Sequence, residues 1–232
     1  DNKDKGTFYT PKEIVQYMSV ESVAQYLKTH TKKVLHTAID ELIKDRKVSE
    51  VLRDKEVANN IYKLLQDVKV CDPAIGSGAY PMGVLNVLFN SRRLLYKYIG
   101  SPVEFSSVAV KKEIIQNNIY GVDIEKGAID IARLRFWLAL VVDAEKQEAL
   151  PNLDYKFMQG NSLIESYSGI DMSRIANGKV KPTDLKNNQL LLGLDGDYCE
   201  KHLQLLMRKY FSIDDYTEKN NLRKDINDTV KG

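Results

Sequence analysis

The hydrophobic positions change their period along the chain, and the change divides it. From residue 12 to about residue 67, apolar residues recur at helical spacing. Ile14, Tyr17, Met18, Val23, Ala24 and Leu27 form one face, broken by Glu21. Val34-Leu35, Ala38-Ile39 and Leu42-Ile43 form a second, and Ile61 with Leu64-Leu65 a third. Charged runs such as Lys44-Asp45-Arg46-Lys47 separate them. Thr10-Pro11-Lys12-Glu13 reads as the first helix start, with Thr10 as N-cap, Pro11 at the first helical position and Glu13 closing a capping box.

Beyond Asp67, short apolar runs alternate with longer helical patterns. Val68-Lys69-Val70-Cys71, Ile119-Tyr120-Gly121-Val122 and Tyr155-Lys156-Phe157-Met158 read as strands. Between them lie helical patterns through Val84-Leu85, Val87-Leu88 and Leu94-Leu95, around Ile114-Ile115, and through Ile129, Ala132, Phe136-Trp137 and Leu140-Val141. Strands separated by helices need crossover connections, hence a parallel sheet with helices on its faces. The expected fold is therefore α/β, a Rossmann-like sheet preceded by a helical segment. Three parts follow: a helical segment over 1–67, an α/β core over 68–168, and a partly helical stretch over 169–232. In the last, Asn177-Gly178, Lys181-Pro182 and Asn187-Asn188 mark loop, and Gly193 to Gly196 a turn. A helix through Leu203, Leu205-Leu206 and Tyr210-Phe211 and a polar helix or tail after Asp215 complete it.

The first strand ends in Asp72-Pro73-Ala74-Ile75-Gly76-Ser77-Gly78. The glycines admit positive φ and close approach of a ligand, and a helix opening at Ala79 aims unpaired N–H groups at whatever sits in the turn. A dinucleotide fingerprint needs a third glycine where Pro81 stands, and a P-loop needs Gly-Lys-Ser/Thr, which is absent. A carboxylate at the strand tip repels pyrophosphate and pairs with a cationic amine or sulfonium. S-adenosylmethionine offers both, and its own carboxylate suits a helix N-terminus.

Composition narrows the surroundings. The net charge of +2 across 232 residues is weak support for a nucleic-acid partner. Arg92-Arg93, Lys111-Lys112 and Arg133-x-Arg135 read as solvated helix faces. No apolar run reaches the roughly 18 residues of a membrane span, and the first residues are too polar for a signal peptide, so no membrane partner and a cytoplasmic location are expected. Cys71 and Cys199 form no metal spacing, and Cys71 is expected in the core. His30, His36 and His202 are isolated, no metal site is expected, and no serine lies in a G-x-S-x-G context.

At Asp72–Gly78 the chain resembles the first cofactor motif of N6-adenine DNA methyltransferases, Asp-Pro-Ala-x-Gly-Ser-Gly. Gly6-Thr7-Phe8-Tyr9-Thr10-Pro11 resembles the motif that precedes it where the cofactor region is N-terminal. Gly121-Val122-Asp123-Ile124-Glu125 with Ala128 and Ala132 resembles the second motif. The similarity runs from Gly6 to about Ile164 and is best to the fused restriction–modification enzymes, types IIG and IIS. It implies a cofactor site of Thr10, Pro11, Asp72, Pro73, Ala74, Gly76, Gly78, Asp123, Ile124 and Asn161. Thr10 and Pro11 would lie over the methionine end, although capping alone would also account for Thr10. Asp123 would accept from the ribose hydroxyls, and Ile124 would pack on the adenine. Asn161 stands where many relatives place an acid that accepts from the adenine N6.

The resemblance further implies direct methyl transfer without a metal, and double-stranded DNA as the partner of the full-length enzyme. The Asn/Asp-Pro-Pro-Tyr/Phe loop that holds the target amine is absent from these residues, so no catalytic residue is assigned. The expectation is a cofactor-binding part that does not methylate DNA by itself. An RNA or protein-glutamine methyltransferase and a non-catalytic cofactor-binding module remain alternatives, while Asp72 and Pro81 disfavour a nicotinamide dehydrogenase.

Overall fold

The computed structural model describes residues 10–143, 153, 155–163, 166–167, 170–171, 205–206, 209–210, 213 and 216–231. Residues 6–9 of the motif that precedes the first cofactor motif, the loop and turn signals between 177 and 196, Cys199 and His202 lie outside the described residues.

The first unit runs to Ser162. Helices α1 (Lys12–Thr29), α2 (His36–Ile43) and α3 (Lys55–Asp67) precede strand β1 (Val70–Asp72). Helices α4 (Ala79–Tyr96) and α5 (Ser107–Asn117) lead to β2 (Ile119–Asp123), and α6 (Lys126–Val141) to β3 (Phe157–Gln159). The strands are parallel in the order β1-β2-β3, with Asp72 opposite Gly121 and Asp123 opposite Gln159. This is the Rossmann-like arrangement that the alternating pattern predicts. The second unit contains an antiparallel pair, β4 (Ser166–Tyr167) and β5 (Ile170–Asp171), and a polar helix α7 (Tyr216–Lys231) on which Ile226 is buried.

Local chemistry sets the element ends. Asp54 caps α3, its Oδ1 accepting from the N–H groups of Glu56 and Val57 at 3.0 Å each. Ser106 caps α5 through the N–H of Ala109 at 3.2 Å. Buried Asn118 donates from Nδ2 to the carbonyls of Gln66 at 3.0 Å and Val68 at 2.7 Å, which fixes the turn from α3 into β1. Apolar side chains fill the space between sheet and helices, among them Leu85, Leu88, Ile114, Ile119, Phe136 and Phe157, all inaccessible to solvent.

Several expectations need correction. The helix start slips by one residue: Pro11, with ψ 148°, occupies the N-cap position of α1, and no side chain caps it. The backbone turns helical only from Lys12, which leaves Thr10 one residue too early to cap. Val68 ends α3, its N–H bonded to the Leu64 carbonyl at 3.1 Å, so β1 starts two residues later than the apolar run. Tyr155 has a positive φ of 61°, a turn conformation, and β3 begins only at Phe157.

Cys71 is exposed, not core. Side chains alternate across a sheet, and Cys71 is in register with half-buried Tyr120, on the face opposite the one carrying Gly121 and Phe157. Lys156 is buried, with its ammonium 3.9 Å from the Tyr120 ring centroid, and burial lowers its pKa to about 8.

Three of the basic pairs contain residues that are not simply solvated. Arg92 is 1% exposed, and its Nη2 donates to Glu113 and, at 3.3 Å, to the Tyr62 hydroxyl, joining α3, α4 and α5. Lys111 pairs with Asp143 at 2.6 Å, and Arg133 donates to the Phe157 carbonyl at 2.7 Å.

Helix α1 packs on α4 at a close crossing. A Cβ on Gly83 would lie 2.3 Å from Ser19 Oγ and 3.0 Å from Val15 Cγ1, while Ser19 Oγ is itself bonded to the Val15 carbonyl at 2.7 Å. Gly83→Ala is therefore expected to destabilise the chain by about 1–3 kcal/mol, the usual cost of overpacking. Ser19→Gly in the same chain should recover part of the loss by removing the clashing hydroxyl. Chemical denaturation of the single and double variants checks this, and equal stability of Gly83→Ala and the parent would contradict the close crossing.

Candidate functional site

The carboxyl ends of the three parallel strands carry the expected turns, and hydrogen bonds stitch those turns together. Asp72 closes the first strand. Its Oδ1 accepts from the Ala74 N–H at 3.0 Å, an Asx turn that starts the loop without help from elsewhere. Burial raises the Asp72 carboxyl above its ordinary range; the Ala74 bond opposes this, and the neighbouring Asp123 charge adds to it.

Ile75 then turns down into the core, where it is 3% exposed, and lies across Gly121 of β2. Its N–H bonds to the Val122 carbonyl at 2.9 Å, so the loop rests on the second strand. A Cβ on Gly121 would meet Ile75 Cδ1 at 2.2 Å and Cβ at 2.9 Å. Glycine at the middle of β2 is thus what lets the loop approach.

Gly76 and Gly78 have φ of +53° and +82°, a region that disfavours other residues. They face different surroundings. A Cβ on Gly76 would meet nothing within 4 Å, whereas one on Gly78 would lie 3.2 Å from the Ala132 Cβ of α6. The loop therefore has an open side at Gly76 and a packed side at Gly78. Helix α4 starts directly after Gly78, and no side chain caps it.

Asp123 joins the first two turns. Its Oδ2 accepts from the Gly76 N–H at 2.7 Å and its Oδ1 from the Glu125 N–H at 2.9 Å. The third turn is tied in by its own bonds. The Gly160 N–H donates to the Asp123 carbonyl at 2.9 Å, Gln159 Nε2 to the Ile124 carbonyl at 3.0 Å, and Ser162 Oγ to the Pro73 carbonyl at 2.6 Å. Asn161 lies between Gly160 and Ser162 and is exposed, and Ile124 is 66% exposed.

Asp72, Pro73, Ala74, Gly76, Gly78, Asp123, Ile124 and Asn161 thus stand on three interlinked turns. Thr10 and Pro11 are exposed at the head of α1, and no hydrogen bond joins Thr10 to these turns. Sequence reasoning passed over Ile75, Gln159, Ser162 and Arg135, whose parts depend on contacts distant in the chain. The mid-strand glycine at 121 is a signal of close backbone approach that could have pointed to Ile75. Among the described residues, no group of three or more His, Cys, Asp or Glu side chains is placed to hold a metal ion, and no helix is long and apolar enough to cross a membrane.

Comparison with known proteins finds two similarities. Residues 117–229 match the family described as Eco57I restriction-modification methylase, a span that includes Asp123 and Asn161. A Methanocaldococcus jannaschii protein, named as a candidate type II restriction enzyme and methyltransferase, is 32% identical over 177 residues. That match covers 70% of this chain and only 15% of the relative's length. Over residues 117–229 the chain is thus similar to the restriction–modification methylase family.

Proposed function

We propose that this chain is the S-adenosylmethionine-binding part of a DNA adenine-N6 methyltransferase from a restriction–modification system. One observation carries the reading. Two carboxylates, Asp72 and Asp123, end neighbouring parallel strands, and a positive-φ glycine loop bridges them through the Gly76–Asp123 bond of 2.7 Å. Acids at both strand ends suit a ligand with cationic and hydroxyl groups, and oppose a pyrophosphate.

The residues present fit that cofactor. Asp72 would face the sulfonium or amine, the open side of Gly76 leaves room for the ligand, and the uncapped start of α4 suits its carboxylate. The lone pairs that Asp123 keeps beyond its backbone bonds would accept from the ribose hydroxyls. Exposed Ile124 offers an apolar face to the adenine, and Asn161 a side-chain acceptor for its N6. Thr10 and Pro11 would complete the methionine end. The cofactor supplies an electrophilic methyl group; the chain's contribution is to bind and orient it. Double-stranded DNA would be engaged by the full-length enzyme, and the target adenine amine would be held by residues other than these.

Calorimetric titration tests the reading. S-adenosylmethionine and S-adenosylhomocysteine are expected to bind, and NAD not; NAD binding at equal or higher affinity overturns it. The pH dependence gives a second arm. With its carboxyl raised, the folded chain without ligand holds the Asp72 proton more tightly than the unfolded chain does. This group's stabilising contribution is present at low pH and lost as pH rises through the raised value. A cationic ligand prefers the ionised form. Affinity for S-adenosylmethionine should therefore be full at neutral pH and fall as pH drops through that value, starting above the range where an ordinary aspartate titrates. Asp72→Asn should weaken binding and flatten this acid limb; an unchanged limb would place the titrating group elsewhere.

A further inference from the structure

Arg135 lies on α6, well away from the three turns in sequence. Its Nη1 donates to the Ser77 carbonyl at 3.1 Å and to Ser77 Oγ at 3.2 Å. Among the described residues, those two oxygens are its hydrogen-bond partners and no carboxylate pairs with it. The same stretch of α6 supports the rest of the loop. Ala132 and Phe136, three residues before and one after Arg135, would lie 3.2 Å and 3.5 Å from a Cβ on Gly78. The sequence reading placed Arg135 on a solvated face; it is exposed, yet its guanidinium is turned onto the loop.

The bond matters because a glycine follows Ser77. A flip of the peptide joining Ser77 to Gly78 rotates ψ of Ser77 and φ of Gly78, and glycine takes either sign of φ, so local rotation suffices. In the observed state both ends of that peptide are held. Its oxygen accepts from Arg135, and its N–H donates to the Ile75 carbonyl at 2.9 Å. A flip would break both bonds and turn the Ser77 carbonyl oxygen toward the Ile75 carbonyl oxygen, where the Gly78 N–H now points. Two opposed carbonyl oxygens would push the glycine loop out of the shape in which Asp123 holds the Gly76 N–H.

We propose that Arg135 is a positioning residue for cofactor binding, holding the Ser77–Gly78 peptide in the orientation that keeps the glycine loop in its binding shape. This rests on the cofactor reading above, and it assigns to Arg135 a role that none of the three sequence motifs contains. The hydrogen bonds are exposed, so their contribution to global stability is small. Their effect is confined to the loop, which separates positioning from ordinary structural support.

The test compares the 232-residue chain with Arg135→Gln and Arg135→Lys. Amide exchange is followed in the ligand-free protein, and S-adenosylhomocysteine binding is measured by calorimetry. In Arg135→Gln the Gly78 amide should exchange about tenfold faster, while amides of β2 and the middle of α6 keep their rates and the unfolding midpoint is unchanged. The dissociation constant should rise about three- to tenfold, as loss of one charge-assisted bond implies. Arg135→Lys, which keeps the charge without the planar fork, should recover part of both changes. Unchanged Gly78 exchange overturns the proposal even where the parent chain binds the ligand normally. Faster exchange throughout the unit with a lowered midpoint overturns it in favour of plain structural support. Failure of the unmutated chain to bind S-adenosylhomocysteine overturns the cofactor reading instead, and with it the binding half of this proposal.

Discussion

Gly121→Ala is expected to abolish ordered packing of the glycine loop and to weaken cofactor binding by at least about tenfold, or about 1.4 kcal/mol. The added methyl group would stand 2.9 Å from Ile75 Cβ and 3.0 Å from Cγ1, as well as 2.2 Å from Cδ1. A rotamer change can move Cδ1, but Cβ moves only with the backbone. That backbone carries the bond from Ile75 N–H to Val122 and the bond that the Ile75 carbonyl accepts from Gly78. Relief of the clash therefore lifts the loop from β2 and costs both bonds. Overpacking of this kind typically costs about 1–3 kcal/mol of stability, which in a chain of this size lowers Tm by about 2–4 °C per kcal/mol. Ile75→Ala alone should also destabilise, by opening a cavity where a buried side chain stood. Combined with Gly121→Ala it should be less damaging than the two losses summed, because it removes Cγ1 and Cδ1 from the contact. Thermal unfolding and calorimetry of the four chains give the coupling. Strict additivity would mean that the two residues do not meet.

How much of this was legible beforehand depends on the range of the interaction. The parallel sheet was, because the switch from helical spacing to short apolar runs bounded by Asp72, Asp123 and Gly160 is a local signal. The acid-tipped strand and the two glycines that take positive φ were legible for the same reason. Element ends were less so. Val68 looks like a strand residue but closes a helix, since its N–H bonds backward to Leu64 and its carbonyl is held by Asn118, fifty residues on. Thr10 looks like a cap, but Pro11 keeps an extended ψ and delays the helix past its reach.

Cys71 looked buried because its neighbours in sequence are apolar, and its exposure follows from which face of the sheet the helices cover. Arg92 and Arg135 looked like surface charge. One is buried through Tyr62 and Glu113 and the other is turned onto Ser77, and these partners lie 21 to 58 residues away. The stitching among the three turns, through Gln159 and Ser162, is likewise a product of register between strands, which no single motif encodes.

Asp123→Ala is the substitution in which structure changes the expectation most. From sequence, Asp123 is a surface-turn acid, whose removal should weaken cofactor binding and leave the fold intact. The structure adds a second load. Both carboxylate oxygens accept backbone N–H groups, Gly76 at 2.7 Å and Glu125 at 2.9 Å, so the side chain is the bolt between the first and second turns.

Alanine should therefore do two separable things. The ligand-free chain should lose about 1–3 kcal/mol of stability, the cost of leaving the partly buried Gly76 donor unpaired. Amide exchange at Gly76 should rise most, since its N–H loses its acceptor. Cofactor affinity should fall by a further 1.5–3 kcal/mol or so, roughly ten- to a hundredfold, if the ribose hydroxyls pair with this carboxylate. Asp123→Asn divides the two effects. An amide keeps one oxygen but presents NH2 in place of the other, so it can accept from Gly76 or from Glu125 and not from both. It should recover part of the stability while leaving most of the affinity loss, because the charge is gone. Denaturation and calorimetry on the three chains decide the matter. A stability loss without any affinity loss would make Asp123 a structural bolt only, and the reverse would show that the Gly76 bond contributes nothing to the fold.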